Sequence, residues 1–445
     1  MTAHGDLDRD LIQRLHGEEL TRFRAEHPRT MALQDRARAH MSNGTPMAWM
    51  ASDNDQPIYI DRGEGASFTD VDGFTYVDFN ASDLAMFCGH AVPAIVRAVQ
   101  ERVALSTQFL LPTEDSIIVA EELARRYPHQ THWQFTLSAT QANTEAIRLA
   151  RAVSDREVVV LFQGHYHGHF EEGLVDRDAS PQHPLQRGLS KGVSGRVRIA
   201  QFNDADALAE ALAPGDVALV LTEPVMSNGI HLLEPIDTWH EDLRRLTREH
   251  GTFLALDETH SHVVGEGGAT GLLGLQPDIL TIGKAVAGGI PRGAYGVTPA
   301  LARELDVERN VATGGTLFGN PLSAAAARAA LTEVLVPEAY ARAAAAGARL
   351  ADGIADAIST VGLPWTTIRF GPRSGQWYGA QPRTGAEAHA LVDMDLTRLL
   401  RIWMANRGVW DALPGAGPTC PVPTMDADVD RYLDAYADLL STLTG

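Results

Sequence analysis

Lysine is almost absent from this chain. Of its 37 basic residues only Lys191 and Lys284 are lysines, so 35 are arginines. Wherever positive charge alone suffices, the chain uses a guanidinium, which stays protonated in proteins. A lysine in such a background is a candidate for chemistry that needs an amine able to lose its proton. Cysteine is as scarce: Cys88 and Cys420 are too few for a disulfide framework or a cysteine-built zinc site. No eighteen apolar residues run uninterrupted, and the opening segment MTAHGDLDRDLIQRLHGEEL is charged, with no apolar signal region. The expected address is the cytoplasm. A formal net charge of −20 argues against non-specific nucleic-acid binding and against attachment to anionic membranes.

At 445 residues the chain exceeds one ordinary core, so more than one domain is expected. Residues 8–41 read as helix, with Leu11, Leu15, Leu20 and Phe23 near helical spacing. Around Ile58–Ile60, Ser67–Phe68 and Tyr76–Phe79 the pattern alternates as in short strands, with Gly63, Gly65 and Asp72-Gly73 as turn signals. From about residue 92, short apolar runs (Val158–Phe162, Val217–Leu221, Phe253–Leu256, Ile279–Ile282) alternate with helical stretches such as Gln141–Ala152 and Trp239–His250. This is the signature of an α/β fold with parallel strands and crossover helices. After Pro321 the chain turns helical (Leu322–Leu335, Tyr340–Ile358, Leu396–Asn406, Val429–Leu443). The expected division is an N-terminal segment 1–75, a large domain 76–325 and a C-terminal small domain 326–445 that packs with the N-terminal strands.

In open parallel sheets ligands bind beyond the carboxyl ends of the strands. Val158–Phe162 is followed by QGHYHGH (163–169), Phe253–Leu256 by DETHSH (257–262), and Ile279–Ile282 by Gly283-Lys284. Singly, an Asp-Glu pair after a strand is most often a cap or a solvated loop, and a strand-end lysine is most often surface. Together, a scarce amine and a carboxylate on nearby strand ends suit a Schiff base to pyridoxal phosphate. Lys284 is the candidate nucleophile, and Asp257 the anion that keeps the pyridine nitrogen protonated. Such a cofactor also needs a phosphate cup at a helix amino terminus. FTLSATQANTEAIRLAR (135–151) offers Ser138, Ala139 and Thr140 before a long helix.

With these motifs in order along most of the chain, together with GEGASFTDVDGFTYVDF (63–79), TEPV (222–225), PDILTIGKAVAGGIPRGAYG (277–296) and GGTLFGNPLSAAAA (314–327), the sequence resembles the class III, fold type I aminotransferases. It is similar in style to glutamate-1-semialdehyde aminomutase and to ω-amine and β-amino-acid transaminases. The resemblance implies a large domain with a mostly parallel seven-stranded sheet flanked by helices, plus a small α+β domain from both termini. It implies a homodimer with active sites at the subunit interface, acting on an amine or amino acid and a keto acid. Lys284 would form the internal aldimine and shuttle the proton. Asp257 would pair with the pyridinium, Ser138, Ala139 and Thr140 would hold the phosphate, and Thr316 would reach the phosphate of the partner subunit. Tyr166 and Thr259 would bracket the ring, with Glu223 and His260 toward its O3′ side.

The chain departs from the family pattern at several of these positions. Ala139 replaces a usual glycine, so its backbone should not need φ > 0. Gln141 replaces a common glutamate, Thr259 a valine or alanine, and His260 a frequent glutamine. The stretch Trp410–Cys420 contains no arginine where relatives that act on amino acids often grip a carboxylate. Arg373 and Arg292 are possible stand-ins, and Trp49, Asn80, Ser82 and Phe87 lie on segments that line substrate pockets in such relatives.

Transamination is the leading expectation. An aminomutase, a racemase or a decarboxylase would need the same groups. From another class, a zinc hydrolase could use the pairs His165/His167/His169 and His260/His262 beside Asp257. A dinucleotide-binding loop at 265–271 lacks both the required glycine spacing and the acidic residue that should follow.

Overall fold

The computed structural model describes residues 7–52, 57–175, 188–227, 232–306, 311–412 and 417–445. The chain divides into two compact units, Pro93–Ala341 with Pro382–Ala390, and Met1–Val92 with Arg342–Gln381 and Leu391–Gly445.

In the terminal unit the stretch expected as one helix is two, Arg9–Glu26 and Pro28–Arg38. Proline has no N–H to continue the first helix but suits the first position of the second. His27 at the break is buried, its Nδ1 on the Phe23 carbonyl at 2.6 Å and its Nε2 on the Tyr76 hydroxyl at 2.8 Å. Strands β1 (Ile60–Glu64), β2 (Ser67–Asp70) and β3 (Thr75–Asp78) form an antiparallel meander. Since β3 is bonded into this sheet, residues 76–92 stay with the terminal unit.

The central unit is built on β4 (His132–Thr136), β5 (Val158–Phe162), β6 (Val197–Ala200), β7 (Val217–Thr222), β8 (Phe253–Asp257), β9 (Ile279–Ile282) and β10 (Gly293–Val297), in the order β4-β10-β9-β8-β7-β5-β6. All pairings are parallel except those of β10, which runs antiparallel to both β4 and β9. Every residue of β5, β7 and β9 is buried, as expected of strands covered on both faces. The helix Ala139–Ser154 lays Ala142, Ala146, Leu149 and Ala150 on the sheet. Residues 326–341 belong to this unit, because Pro321–Ala329 and the π-helical turn Ala330–Val334 pack on the helices Pro93–Leu105 and Glu114–Arg126.

In the C-terminal part, β11 (Thr366–Phe370) pairs with β12 (Arg373–Trp377), and β13 (Val409–Trp410) joins the first sheet parallel to β3. The helices Met394–Ala405 and Asp426–Thr444 close a core that includes Ile12, Leu350, Leu399, Tyr432 and Leu439. No helix among the described residues is long and apolar enough to cross a membrane.

Candidate active site

The carboxyl ends of β4, β5, β7, β8 and β9 lie along one edge of the central sheet, and the chemistry-bearing residues follow them. β4 leads through Ser138 into the helix Ala139–Ser154. Ser138 is extended, and its Oγ accepts the Gln141 N–H at 3.4 Å, while Gln141 Oε1 accepts the Leu137 N–H at 3.0 Å. By tying the residue before the cap to the first turn, Gln141 gains a structural purpose. Ala139 opens the helix without a left-handed backbone, so its methyl is tolerated. The N–H groups of Ala139 and Thr140 have no acceptor among the described residues, which leaves the helix start open to an anion. Two glycines fit closely around the turn. A Cβ on Gly293 would collide with the Ser138 carbonyl, and one on Gly168, whose φ is +112°, with Thr140 Oγ1.

Asp257 ends β8, 3% exposed. Its Oδ2 accepts from Asn143 Nδ2 at 2.8 Å and from His167 Nδ1 at 3.0 Å, and its Oδ1 accepts the Thr259 N–H at 3.0 Å. Burial alone would raise this carboxyl. The hydrogen bond and charge of His167, with the bonds from Thr259 and Asn143, outweigh it and hold the group at about 2. The site therefore carries a dry, fixed negative charge. Asn143 and His167 were not singled out as partners of Asp257 from the sequence.

Glu223 follows β7 and behaves oppositely. Its oxygens accept the Ser227 N–H at 3.1 Å and the Ser227 hydroxyl at 2.6 Å, yet burial pushes it up to about 7, with the Asp257 charge adding to the rise. The Ser227 carbonyl lies 3.3 Å from His260 Nδ1. Glu258, next to Asp257, is neither solvated nor aimed at chemistry. It accepts from the Ser261 hydroxyl at 2.6 Å and from the Ala269 and Thr270 N–H groups, fastening the loop after β8.

The imidazoles that a rival zinc site would have used go separate ways. His165 Nδ1 donates to the Phe162 carbonyl at 2.8 Å, His167 is bound to Asp257, His169 is exposed, and His262 Nδ1 donates to the Glu258 carbonyl at 2.9 Å. No group of three potential metal ligands gathers among the described residues.

Lys284 follows β9 and Gly283, half-buried, with φ at +53°. A left-handed conformation costs a non-glycine residue about 1 kcal/mol, and such costs gather at functional sites. Asp257 and Thr281 are register partners on the adjacent strands β8 and β9, so the carboxylate and the lysine emerge from neighbouring strand ends. Tyr166 is half-buried in the loop after β5, and Thr259 is buried with its Oγ1 unpartnered. Thr316 is exposed, its carbonyl accepting from Gln108 Nε2 at 2.8 Å.

Arg292 is buried against the Phe135 ring, 3.9 Å from its centroid, and donates to the Phe318 carbonyl at 3.1 Å. Trp49, Phe87 and Arg373 belong to the terminal unit: Trp49 is partly exposed, Phe87 is fully buried, and Arg373 is buried on β12 with its backbone bridged to Thr419. The arginine-free stretch before Cys420 includes 413–416, outside the described residues.

A strand-end lysine, a buried ionised aspartate on the next strand and an open helix start define a fold type I enzyme of the pyridoxal phosphate class. The family described as Aminotransferase class-III matches residues 49–362, and the chain belongs to it. It is 32% identical over 400 residues to glutamate-1-semialdehyde 2,1-aminomutase 2 of Brevibacillus brevis, covering 88% of this chain and 92% of that one. Among solved structures, a glutamate-1-semialdehyde aminomutase from Pseudomonas aeruginosa PAO1 in complex with PMP aligns with a TM-score of 0.92 at 36% identity, covering 98% of this chain and 99% of that chain. An omega-transaminase from Sphaerobacter thermophilus aligns with a TM-score of 0.86 at 28% identity, covering 94% and 98%. The protein is a pyridoxal-phosphate-dependent enzyme.

Two outcomes follow from this geometry. Gly293→Ala should displace the Ser138 turn and weaken cofactor retention about tenfold or more, because overpacking costs about 1–3 kcal/mol; equilibrium dialysis of the cofactor measures it. Glu223 holds its proton to about 7 when folded, against an ordinary value of 4.5. Between these values the folded state binds the extra proton, so this group makes stability fall as pH rises. Glu223→Gln should flatten that part of the profile in thermal unfolding of the cofactor-free protein.

Proposed function

We propose that this enzyme is an aminotransferase moving an amino group between a primary amine or amino acid and a keto acid, with Lys284 as the reacting amine. The observation that carries the reading is the pair formed by ionised Asp257 and Lys284 at adjacent strand ends of one sheet.

The residues fit the cofactor. A carboxylate offers about four lone-pair sites. Three of those on Asp257 are taken by Asn143, His167 and Thr259, leaving one for a ring N–H. The open N–H groups at Ala139 and Thr140 are polar groups that a phosphate would complete. When bound, pyridoxal phosphate supplies an electron sink that eases loss of a proton from the substrate carbon.

The chain's own residues do the rest. Ser138, Ala139 and Thr140 hold the phosphate, Tyr166 and Thr259 flank the ring, and Asp257 keeps positive charge at the ring nitrogen. Glu223 and His260 face the hydroxyl side. Lys284 Nζ takes the proton from the substrate carbon and returns it.

The reading includes a cytoplasmic homodimer in which Thr316 serves the neighbouring subunit's phosphate. What supports the dimer is an apolar surface around that residue. Leu105, Phe109, Leu110, Leu111 and Leu317 are 48–71% exposed, and Gln108 ties the two segments together. A second reading, intramolecular amino transfer, is favoured by the aminomutase relatives that span most of the chain. Donors assayed against pyruvate and 2-oxoglutarate, with the cofactor spectrum followed, separate the two, because an aminomutase needs no external acceptor.

The purified protein should be yellow, with a visible band that borohydride abolishes. Lys284→Ala should fold, lose turnover entirely and escape borohydride labelling; residual turnover at the parent's level overturns the assignment. Leu110→Glu with Leu111→Glu should give a monomer that holds cofactor at least tenfold more weakly, read by sedimentation and dialysis.

A further inference from the structure

Asn143 lies in the interior of the helix that starts at the phosphate turn, 0% exposed, on the face that covers the sheet. A buried carboxamide must spend all its hydrogen-bonding groups. Its Nδ2 donates to the His167 carbonyl at 2.7 Å and to Asp257 Oδ2 at 2.8 Å, and its Oδ1 accepts the Thr281 hydroxyl at 2.6 Å. Its orientation is fixed, since a flipped amide would set its oxygen against a carbonyl and a carboxylate. One side chain thus joins the phosphate helix, the loop of Tyr166, the carboxylate of β8 and the strand that delivers Lys284.

Resting on the cofactor reading above, we infer that Asn143, oriented by Thr281, is a positioning residue that joins His167 and Thr259 in aiming the Asp257 carboxylate at the ring nitrogen. Thr281 is also fully buried and donates its proton to the amide, so the strand before Lys284 is coupled to the charge that Lys284 chemistry depends on. Loss of the Asn143 donor makes the carboxylate more basic. With the cofactor bound, a more basic Asp257 would draw the shared proton from the ring nitrogen, and the ring would be a poorer electron sink.

The test uses the cofactor-loaded protein with the ring nitrogen labelled with nitrogen-15. In Asn143→Ala and Thr281→Val the nitrogen resonance should move toward that of unprotonated pyridine at constant pH. The rate constant kcat should fall about tenfold or more with KM little changed, the size expected for a buried bond to a charged group. Thr281→Ser keeps the hydroxyl and should match the parent in both measurements. Should Asn143→Ala fail to fold, the two Thr281 variants decide.

An unmoved resonance in the loaded Asn143→Ala or Thr281→Val protein overturns the inference. So does a Thr281→Ser protein as impaired as Thr281→Val, since packing rather than the hydroxyl would then matter. If the parent has no borohydride-sensitive band, the cofactor reading fails and takes this inference with it; a parent with the band and an unmoved variant resonance refutes the inference alone.

Discussion

The site depends on keeping one negative charge dry. A carboxylate shut away from water would ordinarily take up a proton, and Asp257 does not because three donors from three segments converge on it. These donors are held in turn: Asn143 by Thr281, the His167 backbone by Asn143 Nδ2, and the Thr259 N–H by the loop that Glu258 fastens. Much of the local architecture between β8 and β9 therefore serves to stabilise a single ionisation state.

The second carboxylate in the same interior makes the contrast informative. Glu223 accepts from Ser227, but burial outweighs that bond and the Asp257 charge adds to the rise, so it keeps its proton up to about 7. Two acidic groups on neighbouring strand ends are thus pushed in opposite directions, Asp257 down by its donors and Glu223 up by burial, which separates an anion from a group that can carry a proton. The tightly packed turn at Ser138 adds the third element, an open helix start, and the glycines at 168 and 293 let neighbouring backbone come close enough to fix it.

Much of this was legible in the sequence. Fully buried parallel strands announce themselves as unbroken apolar runs, and β5, β7, β8 and β9 were visible on that ground. Lys284 was visible through the scarcity of lysine, and Asp257 through its place after a strand. β10 was not, because Gly-Ala-Tyr-Gly-Val mixes two glycines into a strand whose partner, Trp133, fills the space a side chain would need at Gly296. The break at His27 was missed although Pro28 marks it. Asn143 was missed although a signal existed: with Ala146, Ile147 and Ala150 it lies on the buried helical stripe, and a carboxamide on an apolar stripe needs partners. His167 was noticed only within a rival metal reading of the alternating histidines, and the fold reveals that His165, His167 and His262 each turn to a different acceptor.

The left-handed backbone at Lys284 sets a conformational cost against the residue that stands there. Glycine would adopt that conformation without strain, and glycines occupy it at Gly288 and Gly289 just downstream. A chain drifting under stability alone would put glycine at 284 as well, and a chain drifting under its own preference for arginine would put a guanidinium there. The residue present is favoured by neither tendency. Under the role proposed for Lys284, the amine outweighs both a backbone cost of about 1 kcal/mol and the chain's preference for arginine.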